Sequence, residues 1–166
     1  MSIDTFWGNI FSQDNVQNTI SILKNIPLFS NINLSDLIKL SKFLHSRKYS
    51  QNEIVFLEKE PGAGLYIVKS GSVKIFIKSL DGQERILAKL EKGCFFGEVA
   101  LIDESPRSAS VIALEETELL GFFRPDLMTL MDRDPRLSSQ ILLHLATVLG
   151  QRLRETNKEI KRKQND

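Results

Sequence analysis

Gly93-Cys94-Phe95-Phe96-Gly97-Glu98-Val99-Ala100-Leu101, then residues 102–105, then Pro106-Arg107-Ser108-Ala109-Ser110-Val111, is the stretch on which the reading of this chain turns. An apolar, strand-like run stops at Gly97 and a lone acid follows. Nine residues after that acid, a lone arginine stands between a proline and a Ser-Ala-Ser-Val strand start. One carboxylate, one guanidinium and a few backbone N–H groups are thereby confined to one short loop. If Gly97 opens a helical turn over residues 98–101, the free N–H groups of that turn form an anion site. Arg107 adds an always-charged fork suited to phosphate oxygens. Glu98, acceptor-only when ionised, is repelled by phosphate but can accept from a sugar hydroxyl one ribose away. The plainer alternative is that Glu98 and Arg107 simply pair with each other across the loop.

Outward from this loop the chain reads as β on both sides. Runs at 53–57, 65–68, 73–77, 85–90, 108–113 and 118–123 are short and strand-like, with partial alternation in Val73-Lys74-Ile75-Phe76-Ile77-Lys78. Turn residues separate them: Pro61-Gly62-Ala63-Gly64, Ser70-Gly71, Asp81-Gly82 and Lys92-Gly93. Asp81-Gly82 between two apolar runs is the clearest hairpin signal. Short, regularly spaced strands with glycine turns predict a jelly-roll or barrel rather than a parallel α/β sheet.

Helices are expected at both ends. Val16, Ile20 and Leu23 mark one over 14–26, closed by Pro27. Asn33 or Ser35 caps a second, whose buried side is Leu34, Leu37, Ile38, Leu40 and Leu44. Phe6, Trp7, Ile10 and Phe11 predict a terminal helical turn docking on the body. After the strands, 125–131 reads as a short helix. Pro135 then sits in the first turn of a long helix over 136–161, with Asp134 as its cap. Its stripe of Leu137, Ile141, Leu142, Leu145, Val148, Leu149 and Leu153 is wider than a strict coiled-coil seam. The expected divisions are a helical extension at 1–21, a β-roll at 22–135, and a lid or dimerisation helix with a polar tail at 136–166.

Bulk composition excludes several classes. The chain has 166 residues, 42% hydrophobic and 26% charged, which suits one globular domain. A net charge of +1 gives no global field for nucleic acid. No apolar run is long enough to span a membrane, and the start lacks the pattern of a signal peptide. Cys94 is the only cysteine, and it reads as a buried small hydrophobe. His45 and His144 read as helix-face histidines without neighbouring ligands, so no metal is expected. No histidine stands near Ser108 or Ser110 to act as a base, so the chain is not read as an enzyme. A cytoplasmic protein is expected.

The segment Phe96-Gly97-Glu98-Val99-Ala100-Leu101 with Pro106-Arg107-Ser108-Ala109-Ser110-Val111 resembles the phosphate-binding cassette of cyclic nucleotide-binding domains. That family includes kinase regulatory subunits, gated channels and the bacterial catabolite activator. Pro61-Gly62 with Leu65-Tyr66-Ile67-Val68, Ser70-Gly71-Ser72-Val73 and Ile26-Pro27-Leu28-Phe29 extend the resemblance over about residues 22–153.

It implies a mainly β fold, an eight-stranded jelly-roll (double-stranded β-helix) with N-terminal helices and a long C-terminal helix. It implies that Glu98 binds the ribose 2′-OH and Arg107 the cyclic phosphate, assisted by the N–H groups of Gly97 and Ala109. Phe96, Val99, Ala100 and Ser108 complete the cassette. Ser108 lies near base or phosphate; a hydroxyl there resembles the threonine that favours guanine in cGMP-dependent kinases, yet catabolite-activator-like cAMP binders also carry serine, and cAMP is taken ahead of cGMP. The last helix of the family often caps the base, and here Leu145, Leu149 or Arg152 would serve, with Leu145 and Leu149 taken as the ligand-binding pair.

The chain stops where catabolite-activator-like regulators continue into a winged helix, so no DNA binding by this chain is expected. The basic residues Arg152, Arg154, Lys158, Lys161, Arg162 and Lys163 are read as cations at a helix C-terminus. The expected function is a cyclic-nucleotide sensor that signals through its C-terminal helices to a partner or as a homodimer. The alternatives are an interaction protein with a vestigial cassette, or a regulator lacking its DNA-binding domain.

Overall fold

The computed structural model describes residues 13–165, so the expected docking of Phe6, Trp7, Ile10 and Phe11 lies outside the described residues. Helix α1 spans Gln13–Lys24. A 3-10 turn at Pro27–Phe29 leads to α2, Leu34–Ser41, whose cap Asn33 accepts from the Asp36 N–H at 2.9 Å.

Eight strands follow: β1 His45–Tyr49, β2 Ile54–Phe56, β3 Gly64–Ser70, β4 Ser72–Lys78, β5 Glu84–Glu91, β6 Phe95–Phe96, β7 Ser110–Ala113 and β8 Thr117–Phe123. A single helical turn, α3 (Val99–Ile102), interrupts them, and α4 (Arg124–Arg133) and α5 (Pro135–Asn165) close the chain. The strands form two antiparallel four-stranded sheets, ordered β1-β8-β3-β6 and β2-β7-β4-β5. This is the expected jelly-roll with flanking helices.

The first sheet is buried on both faces, which is why Leu65-Tyr66-Ile67-Val68 reads as a continuous apolar run. Tyr66, Val68 and Leu119 point between the sheets, with Tyr49, Val73, Phe96, Val111 and Ala113. Leu65, Ile67, Leu120 and Phe122 point outward into a second core shared with α1, α2, α4 and α5. Leu137, Ile141, Leu145 and Val148 anchor α5 to that core. A division at residue 21 therefore passes through α1, and one at 135 separates an anchor helix from the core it completes.

Three sequence expectations need correction. The strand β1 falls where none was read. His-Ser-Arg-Lys-Tyr buries only Tyr49 fully, so the segment carries no apolar alternation, although it pairs with β8 from His45↔Gly121 to Tyr49↔Thr117. His45 is consequently a strand residue, 3.1 Å from the Asp126 carboxylate, whereas His144 does lie on a helix, 3.0 Å from the Leu28 carbonyl. Strand β7 starts at Ser110, because Ser108 and Ala109 belong to the loop that carries Arg107. Among the described residues no helix is long and apolar enough to cross a membrane, and no three potential ligands cluster as a metal site.

Candidate functional site

Strand β6 ends because Gly97 takes a positive φ of 75°, a conformation that costs glycine little. The turn that follows places Glu98 at the start of α3. Its carboxylate makes no capping bond to that helix, so the side chain is free to act elsewhere. A Cβ at position 97 would lie 2.6 Å from Arg107 Nη1 and 3.1 Å from the Gly64 carbonyl oxygen. The glycine thus serves both the turn and the space that the guanidinium occupies.

Arg107 is held from the other side by the backbone of the 57–61 loop. Its N–H donates to the Glu60 carbonyl at 2.8 Å, and its own carbonyl accepts from the Lys59 N–H at 2.8 Å. Pro106 bridges Pro61, and the Ser110 hydroxyl accepts from the Glu58 N–H at 2.9 Å. The guanidinium lies 4.1 Å from the Phe56 ring centroid and 5.5 Å from that of Tyr66.

Arg107 is 7% exposed, yet it forms no ion pair among the described residues. Nη2 donates to the Gly64 carbonyl at 2.9 Å and Nη1 to the Gly97 carbonyl at 3.4 Å, while the buried Nε has no partner. Burial pulls the guanidinium below its ordinary pKa, partly offset by Tyr66 and Glu60; it remains a cation at any physiological pH. A buried cation that is hydrogen-bonded to neutral groups and keeps an unpartnered N–H has the chemistry to accept an anionic ligand.

A cavity of about 470 Å³ opens beside Arg107, in the size range of small-molecule sites. Phe96, Gly97, Glu98, Val99, Ala100, Arg107, Ser108 and Ala109 all line it, so the structure brings these sequence-read residues together. Phe56, Ile75 and Val111 from the second sheet form the apolar wall. The pairing of Glu98 with Arg107 does not occur. Glu98, 5% exposed, instead pairs with Arg152 of α5, whose guanidinium also lies 5.1 Å from the Phe95 ring centroid.

Leu145 and Leu149 do not line this cavity. Leu145 is 1% exposed in the helical core and Leu149 packs against the same core. The α5 residue on the cavity wall is Arg152. Its signal was present in the sequence: the inward stripe Leu137, Ile141, Leu145, Val148 continues at helical spacing to position 152. An arginine where the next core leucine would stand needs a buried acid to meet it. Phe56 and Ile75 carried no comparable signal, because strand residues of the far sheet reach the loop only through the roll.

Residues 46–134 match the cyclic nucleotide-binding domain family. The cyclic AMP receptor protein of Thermus thermophilus is 40% identical over 138 residues, covering 83% of this chain and 62% of that protein. The crystal structure of the Thermus thermophilus catabolite activator protein superposes with a TM-score of 0.74 at 40% identity, over 81% of this chain and 62% of that one. A cyclic nucleotide-binding domain from Methylobacillus flagellatus, at 24% identity, has the same fold with a TM-score of 0.80, over 98% of this chain and 92% of that one. The chain thus spans less than two thirds of the Thermus protein.

Proposed function

The chain belongs to the cyclic nucleotide-binding domain family, and we propose that it is a sensor of cAMP, with cGMP as the second-ranked ligand, rather than an enzyme. The observation that carries this reading is Arg107: a buried cation with an orphaned Nε and no carboxylate partner, at the wall of a cavity of about 470 Å³. A cyclic phosphodiester supplies the anion that Arg107 lacks. Charge-assisted bonds of this kind contribute about 1.5–3 kcal/mol each. The ribose 2′-hydroxyl then donates to Glu98, with the N–H groups of Gly97 and Ala109 directed to the phosphate. Ser108, exposed on the cavity wall, stands beside the base or the phosphate. The preference for cAMP draws support from the name of the Thermus thermophilus relative.

The signal leaves the site by two contacts. Glu98 holds Arg152, so a ribose that engages the same carboxylate changes the hold of the loop on α5. Arg124, at the start of α4, donates to the Ile102 carbonyl at 2.6 Å and so ties α4 to the end of α3. Ligand binding biases these contacts only to the extent that it favours one arrangement over another.

The readout is self-association through α5. Residues 153–164 of this helix are all exposed, and a helix projecting alone into water is marginal. With the inward stripe taken up by the core, the exposed face presents Leu143, Ala146, Gly150, Leu153, Asn157 and Ile160. These recur at alternating spacings of three and four, the seam of a two-stranded coiled coil with an asparagine inside it. A Cβ at Gly150 would meet only the Arg154 side chain, at 3.6 Å, leaving room for a close helix–helix approach.

Calorimetry with cAMP and with cGMP tests the ligand, and heat of binding is expected from the native chain and not from Arg107→Ala. No heat with either nucleotide overturns the reading. Light scattering tests the seam: Leu153→Asp is expected to give a monomer that still binds nucleotide.

A further inference from the structure

Four charged residues line the cavity: Glu98, Asp103, Arg107 and Arg152. Glu98 and Arg152 pair with each other, so their part of the wall carries no net charge. Arg107 and Asp103 remain, and neither forms an ion pair among the described residues. Asp103 is half-buried and closes α3, its N–H donating to the Val99 carbonyl. Its carboxylate is held by its own loop: one oxygen accepts from the Ser105 N–H at 3.2 Å and the other from the Ser105 hydroxyl at 2.7 Å. Ser105 also lines the cavity. It stands two residues before Arg107, which keeps their Cα atoms within about 7 Å of each other. Glu104, between Asp103 and Ser105, is not part of the wall and faces Arg124, 3.7 Å from its Nε.

We propose that Asp103 sets how much charge the site accepts: one negative charge and not two. A phosphodiester is admitted, and a phosphomonoester of the same nucleoside is turned away. This inference rests on the nucleotide reading of the cavity and names the phosphate chemistry within it. Arg107 neutralises one negative charge. A phosphomonoester at neutral pH carries about 1.5 to 2. The surplus finds no free cation, because Glu98 already matches Arg152, and it falls in the field of Asp103.

The rest of the wall strengthens that field. Phe56, Ile75, Phe96 and Val111 are apolar, so charges facing the cavity are screened less than charges on an open surface. Repulsion from a fixed charge is proportional to the charge it meets. Asp103 therefore disfavours a monoester about twice as strongly as a diester in free energy, and in affinity the first effect is about the square of the second. Hydrolysis of one ester bond, with addition of water, turns a cyclic phosphodiester into such a monoester. The same carboxylate thus lets the site ignore its ligand once that ligand has been hydrolysed.

Calorimetry at neutral pH tests this on the native chain and on Asp103→Asn, with cAMP, the methyl ester of 5′-AMP, and 5′-AMP itself, the weaker ligands read by displacement of cAMP. The methyl ester is an open-chain monoanion, so it separates charge from ring shape. Asparagine keeps an oxygen for the Ser105 N–H and preserves the loop. Asp103→Asn is expected to raise affinity about threefold for cAMP and for the methyl ester, and about tenfold for 5′-AMP, with both gains shrinking as salt is raised. Asp103→Glu keeps the charge and should keep the native ratio of the three ligands. Glu104→Gln removes an acid that faces Arg124 instead of the cavity and should also leave that ratio unchanged. Heat with cAMP together with an Asp103→Asn chain that keeps the native ratio overturns the charge filter alone, as does a Glu104→Gln chain that shifts the ratio equally. No heat from the native chain with any of the three overturns the nucleotide reading and the filter with it.

Discussion

Two buried cations in the β-roll have opposite surroundings. Lys69, 5% exposed on β3, is fully provided for: Nζ lies 2.8 Å from the Glu118 carboxylate and also donates to the Asn15 side chain. Arg107, 7% exposed, has stacked rings and two carbonyls but no carboxylate, and its Nε is orphaned beside a cavity. Burying a charge is costly, and the usual compensation is a fixed counter-charge. Lys69 has that compensation within the fold. On the function proposed here Arg107 takes it from a ligand, and that difference would separate a structural cation from a receptor.

The comparison breaks most readily at Arg107. Arg107→Ala is expected to weaken cAMP binding by about a hundredfold or more, since at least two charge-assisted bonds are lost. Its thermal midpoint should move far less, because removing an unpaired buried charge offsets the lost packing on Phe56. Lys69→Met is the converse. It leaves Glu118 without its cation, should cost about 3 kcal/mol of stability, and should leave cAMP affinity in calorimetry unchanged. If Arg107→Ala destabilised the fold as much as Lys69→Met and left binding intact, the two sites would be the same kind of object.

Glu98 sharpens the contrast from the acidic side. Unlike Glu118, it is paired with a residue of α5 that can leave when the helix moves. Glu98→Gln is expected to lower cAMP affinity about tenfold or somewhat more, the worth of one charge-assisted bond. Arg152→Ala should change the coupling instead: nucleotide still binds, while the nucleotide dependence of self-association, followed by light scattering, is lost. An Arg152→Ala chain whose association responds to cAMP like the native one would remove Arg152 from the signal route.

The sequence made the loop around Arg107 legible because its parts are adjacent and each has one physical reason to be there. Gly97 is needed for the turn, Pro106 for the bridge to Pro61, and Arg107 for the positive charge at the cavity wall. The β4–β5 hairpin was equally plain, with Asp81-Gly82 between strands paired from Ser72↔Glu91 to Lys78↔Glu84. What could not be read was set by tertiary packing. The edge strand β1 hides because one buried tyrosine makes no pattern. On α5, a search for apolar residues passes over Arg152 and takes Leu153 into the stripe, whereas Leu153 is exposed and Arg152 is the residue that reaches the cavity. The same search sends Leu145 and Leu149 to the ligand, although the core claims both.

The smallest effect concerns pH. Burial raises the Glu118 carboxyl, but hydrogen bonds from Lys69 and Ser46 outweigh it and hold the group below its ordinary value of 4.5. Asp36 is held below 3.8 first by the Arg136 hydrogen bond, against burial, and Asp134 by the Leu137 N–H and then Lys39. A carboxylate depressed in the folded state contributes stability that is complete above its unfolded pKa and disappears as pH falls through the folded one. The fold should therefore hold a flat urea-unfolding free energy from neutral down to about pH 5 and lose stability below it. Glu118→Gln removes one of these titrations, so its acid limb should be shallower than that of the native chain. Arg107 contributes nothing to this limb because it does not titrate there. An acid limb unchanged by Glu118→Gln would mean that Lys69 is not matched within the fold after all, and the contrast with Arg107 would lose its reference.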